Sequence, residues 1–155
     1  MPDLIQGKSG VTLIELVSAM AIIAILMTGV LPLSQMAYQR SKEIELRQNL
    51  RVIRTAIDAY KKMVDEGKIE KKADESGYPK TLESLVEGVV LKGPVPKRVK
   101  FLRRIPGDPM TEDHVWRLRS FEDDYDSEIW GGEDVYDVYS SSDGAAMDGT
   151  KYKDW

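Results

Sequence analysis

Residues 9–39 read SGVTLIELVSAMAIIAILMTGVLPLSQMAYQ, and none of the 24 residues from Leu16 to Gln39 carries a charge. At 1.5 Å per residue a helix over that run spans about 36 Å, enough to cross a bilayer. The run predicts a membrane-spanning helix. A secretory signal peptide has a shorter apolar region, about 7–15 residues, behind a basic segment. Here the first ten residues offer one Lys and one Asp. A plain signal anchor matches the length but gives no reason for Glu15, at the head of the apolar stretch. An ionised carboxylate in such a segment costs about 3 kcal/mol unless partnered, so Glu15 is read as functional.

Ser9-Gly10 followed by Val11-Thr12-Leu13-Ile14-Glu15 and a long apolar helix resembles the class III signal of type IV pilins and type II secretion pseudopilins. The resemblance implies that a prepilin peptidase cuts after Gly10 and methylates Val11, leaving Glu15 as the fifth residue of the mature chain. It further implies that Thr12, Glu15 and Pro32 serve assembly, Pro32 standing where these proteins often bend. The physical reading of Glu15 agrees. Freeing the Val11 amine creates a cation that a neighbouring subunit's carboxylate can neutralise within a low-dielectric bundle. The bland alternative is a carboxylate that snorkels to the membrane surface of an ordinary anchor.

The charges flanking the span point the other way. Lys8 alone precedes it, whereas Arg40, Lys42, Arg47 and Arg51 follow, so the positive-inside rule places the later part of the chain in the cytoplasm. The resemblance implies the reverse: leader cytoplasmic, a single pass through the inner membrane, and a periplasmic head.

Past the span, Leu46, Leu50, Ile53, Ile57, Tyr60 and Val64 recur at helical spacing, which predicts one helix from about Thr12 to Glu66 with a buried stripe on its second half. Six positions are few for a coiled coil, so the stripe is expected to pack on the chain's own head. After a charged loop, Thr81 caps a short helix with Leu82, Leu85 and Val86 inward and Gly88 at its end. Prolines 94, 96, 106 and 109 confine 92–110 to loop, with one extended piece at 99–102. Residues 114–119 and 135–139 alternate as two antiparallel strands. The expected fold is α+β, type IV pilin-like, with a long N-terminal helix packed on a small antiparallel sheet. Its parts are leader 1–10, membrane and assembly segment 11–38, soluble helix 39–66, and head 67–155.

This head narrows the resemblance. Tyr78-Pro79 with Leu82, Leu85 and Val86, then Arg103-Arg104-Ile105-Pro106-Gly107-Asp108-Pro109, and finally Tyr139-Ser140-Ser141-Ser142-Asp143-Gly144 running on to Trp155, resemble the major pseudopilin of type II secretion systems. In that family the C-terminal loop binds calcium. The matching positions are Asp143 and Asp148, with carbonyls from the stretch holding Ser140 and Ser142. Calcium takes six to eight hard oxygens. The alternative is a loop held by packing of Tyr152 and Trp155.

Composition excludes much else. Across 155 residues there are no cysteines and one His, which removes disulfides, thiolate zinc sites, cysteine nucleophiles and His-based triads. Of the fourteen acids in 105–155, the cluster Glu122-Asp123-Asp124-Tyr125-Asp126 lacks EF-hand spacing and reads as a solvated loop. The net charge of −4 divides into −1 for residues 1–38, +7 for 39–104 and −10 for 105–155. Like subunits stacking base to acid would use that division; the basic part alternates its signs too closely for a nucleic-acid face.

The function expected is a non-enzymatic subunit of a pseudopilus. It polymerises through its N-terminal helix to drive type II secretion across the outer membrane. By resemblance its partners are minor pseudopilins, an inner-membrane platform and a secretion ATPase. The alternatives are a type IV or minor pilin, or a single-pass anchored binding module that never polymerises.

Overall fold

The computed structural model describes residues 10–155, so the leader expected over 1–10 lies outside the described residues except for Gly10. The chain divides into two compact units, Met1–Gln39 and Arg40–Trp155. One helix, α1 (Leu13–Asp65), contributes to both.

In the first unit α1 starts on Thr12. The Thr12 hydroxyl accepts the Glu15 N–H at 3.3 Å, and its carbonyl accepts the Leu16 N–H at 3.0 Å. Thr12 is therefore the N-cap and Glu15 the third helical residue, whose negative charge suits the positive end of the helix dipole. Ser18 and Thr28 donate their hydroxyls to the carbonyls of Ile14 and Ala24, at 2.6 and 3.0 Å. Such internal bonding is what a hydrocarbon environment demands of a hydroxyl. Pro32 has no N–H to give, yet the helix continues through it. The most apolar 18-residue window has a mean hydropathy of 2.4 and none of it is buried. A helix apolar on every face needs lipid or other helices around it.

In the second unit the stripe is inward: Leu46, Leu50, Ile53, Ile57 and Val64 are buried, and Tyr60 packs partly buried beside them. Leu46, Leu50, Ile53 and Ile57 meet Leu82, Leu85, Leu102, Trp116, Val135 and Val138 in one core, with Tyr60 packed against it. Packing on the head rather than a coiled coil is thus what the soluble half of α1 does. Helix α2 (Leu82–Glu87) begins at Thr81, whose hydroxyl accepts the Ser84 N–H, and ends at Gly88. Leu82 and Leu85 are buried, while Val86 is half-buried.

The strands depart from expectation in two respects. A hairpin of β1 (Val89–Leu91) and β2 (Lys97–Val99) occupies part of the region expected to be loop, and the extended piece lies at 97–99 instead of 99–102. Pro94 and Pro96 fall in its connection, where no ladder hydrogen bond is lost. Beyond Val99, the N–H groups of Phe101 and Leu102 turn to the Leu85 carbonyl. The second sheet pairs β3 (Trp116–Arg119) with β4 (Asp137–Ser140), antiparallel, in the register Trp116 to Ser140. β3 starts two residues late because His114 sits at φ 57, outside extended space. The head therefore carries two two-stranded sheets in place of one.

Candidate functional site

The residues at the start of α1 are exposed. A Cβ built on Gly10 would meet nothing within 4 Å, and its backbone is not left-handed. Packing among the described residues thus gives no reason for glycine there. Val11, Leu13 and Ile14 are strongly exposed, and Glu15 is exposed with them. The structure gives Glu15 one local role, its place in the first helical turn. The spacing Thr12-x-x-Glu15 is that of a capping box, of which the structure shows the half made by the Thr12 hydroxyl and the Glu15 N–H.

The C-terminal loop is tied to the soluble part of α1. Glu43 Oε1 accepts the Met147 N–H at 2.9 Å and the Tyr152 hydroxyl at 3.0 Å. One helical turn on, the Arg47 guanidinium lies 4.0 Å from the Trp155 ring centroid and 3.3 Å from Asp148 Oδ2. The Thr150 hydroxyl and N–H both donate to Asp148 Oδ1, at 2.6 and 3.0 Å. Those two bonds first, and the Arg47 charge after them, hold the Asp148 carboxyl below its ordinary pKa. Tyr152 is buried and meets Trp155 edge-on.

Of the expected calcium ligands, Ser140 is buried and donates its hydroxyl to Asp108 Oδ2 at 2.6 Å. The Ser142 hydroxyl accepts the Gly144 N–H at 3.3 Å, and Asp143 is exposed. Among the described residues no three His, Asp or Glu side chains converge as a metal site. A calcium ion would draw on Asp143, Asp148 and backbone carbonyls, and would compete with Arg47 and Thr150 for Asp148.

Two acids organise the loop that composition marks as solvated. Asp123 Oδ2 accepts the N–H groups of Ser120 and Gly131, at 2.7 and 3.1 Å. Asp134 is buried, accepting the Phe121 N–H at 2.9 Å and the Ser76 hydroxyl. Asp108, fully buried, was not singled out by sequence; it accepts the Met110 N–H at 2.8 Å as well as the Ser140 hydroxyl. Its partner on β4 is 32 residues away, and no local pattern signals such a bond.

A long helix apolar enough to cross a membrane leads into a small α+β head, a pilin-like arrangement that fits a membrane-anchored protein. Residues 5–31 match the family model of the prokaryotic N-terminal methylation motif, the leader of type IV pilins and pseudopilins, which supports the type IV pilin-like superfamily. The motif implies prepilin-peptidase processing and pilus-type polymerisation, and it points to a structural subunit rather than an enzyme. No curated protein and no solved structure matches the chain.

Proposed function

We propose that this chain is the major subunit of a type II secretion pseudopilus, processed between Gly10 and Val11. Hydrolysis of that peptide bond leaves the Gly10 carboxylate on the leader and an ammonium on Val11. The neutral amine then takes a methyl group from a sulfonium methyl donor, which leaves as a thioether while a proton is lost. The reprotonated N-methyl amine pairs with Glu15 of a neighbouring subunit as the apolar helices leave lipid for a helical bundle. The observation that carries the reading is the exposed Gly10 and Glu15 flanking the start of an apolar helix that the chain itself leaves uncovered. Assembly replaces lipid by protein, so the residual cost falls on the one carboxylate, and pairing removes it. The secretion role rests on the resemblance of the head to major pseudopilins.

The test is a deletion strain complemented with the full chain. Restored export of folded proteins to the medium, with short sheared filaments containing this subunit, is the expected result. Long surface filaments without any export defect would instead assign a pilin role. Calcium is a separable part of the proposal, held by Asp143 and Asp148 with carbonyls of 140–142. Calorimetry of the full chain with calcium, beside Asp143→Ala, reads it directly, and no heat from the parent would retire the site.

A further inference from the structure

The head carries two exposed strips of opposite charge that it does not use on itself. The first follows β2: Lys97, Arg98, Lys100, Arg103 and Arg104 are all exposed. Among the described residues none of these five takes part in an ion pair. Beside them Val95, in the hairpin connection, is 76% exposed. The second strip is the loop between β3 and β4, where Glu122, Asp124, Asp126 and Glu133 are exposed and likewise without an ion pair among the described residues. That loop also lifts Tyr125 and Ile129 into solvent, 86% and 81% exposed. The other acids of the loop are engaged: Asp123 and Asp134 hold its backbone, and Glu128 pairs with Lys153 at 2.8 Å.

Four exposed acids on the same loop as two exposed, large apolar side chains leave both charge and grease unpartnered, and an oppositely charged apolar surface relieves both. The matching surface on the same head is the basic hairpin strip with Val95. We propose that the β3–β4 loop of one copy docks on the β2 strip of the next copy, Tyr125 and Ile129 meeting the apolar hairpin tip within a ring of ion pairs. Two different patches paired between copies make a heterologous contact, which propagates instead of closing into a dimer. The proposal deepens the filament reading and rests on it. It adds a head-to-head contact to the helical bundle. A polyanion such as nucleic acid or an anionic lipid surface would satisfy the basic strip but would be repelled by the acidic loop.

The experiment uses the full chain, which has no cysteine of its own. Val95→Cys and Tyr125→Cys chains are produced separately and together, and membranes are treated with a short bismaleimide. A cross-linked dimer from the mixture, at least about tenfold above either variant alone, is expected; equal cross-linking of either variant with itself would overturn the heterologous contact, and none at all would overturn the docking. In parallel, K97E/R98E/K100E and E122K/D124K/D126K chains are assayed for sheared filaments. Each is expected to lower the yield about tenfold at unchanged membrane level, and co-expression of the two to restore it. Loss without mutual rescue would assign the strip to another anion. A parent that forms no filaments yet cross-links would sink the filament reading while leaving the contact standing.

Discussion

At Glu15 the proposed assembly charge is separable from the helix cap. The Glu15 backbone N–H closes the Thr12 cap, and its charge is the group proposed to meet a neighbour's amine. Glu15→Gln keeps a capping-competent side chain at the third helical position but removes the charge. We therefore expect Glu15→Gln and Glu15→Ala to reach the membrane normally and both to lower filament yield about tenfold or more; normal yield from the Gln variant would leave only the cap. Asp148 gives a pH prediction. Its folded pKa is depressed, so its contribution is present above the ordinary Asp value of about 3.9 and is lost as pH falls through the lower, folded value. The Trp155 indole N–H, which donates to Thr150 Oγ1 at 2.7 Å, is the reporter. In micelles its resonance is expected to stay fixed from pH 7 to 5, shift only below about pH 4, and lose that transition in Asp148→Asn. At this scale the sequence made Glu15 legible, because a carboxylate in an apolar run is an expensive anomaly. It left Asp108 unread, because an Asp between Gly and Pro looks like any turn residue until Ser140 arrives from a distant strand.

Among the elements, the turn from α2 into the β1–β2 hairpin leaves no room for a side chain. Gly88 has φ +83, and a Cβ there would lie 2.6 Å from the Val99 carbonyl oxygen. Gly88→Ala therefore combines left-handed strain with a backbone clash, and we expect a loss of more than about 1 kcal/mol, seen as a lowered thermal midpoint by circular dichroism. An unchanged midpoint would mean that β2 is free to move away. Helices were readable because Leu46 to Val64 keep strict helical spacing and Thr81 and Gly88 punctuate α2. The hairpin was not, because four prolines within 92–110 suggested continuous loop, whereas two of them sit in a hairpin connection that tolerates them. β3 was placed two residues early, since alternation at His114 and Val115 says nothing about a positive φ.

For the molecule as a whole, two facts among the described residues need each other: a helix whose apolar window is unburied, and a head whose basic and acidic strips hold no ion pair. The charge division was legible from residue counts alone; which members are free, and which tie down a loop, required the fold. Unpaired strips that meet between copies are screened by salt, with a Debye length falling from about 10 Å at 0.1 M to about 3 Å at 1 M. Isolated filaments should therefore shorten or dissociate as salt is raised, read by sedimentation, and indifference to ionic strength would argue against the head contact. The account stands most directly on processing before assembly. Mass spectrometry of the protein purified from its native membrane should find a chain that begins at N-methylated Val11. A chain still carrying residues 1–10, with its first residues unmodified, would contradict it.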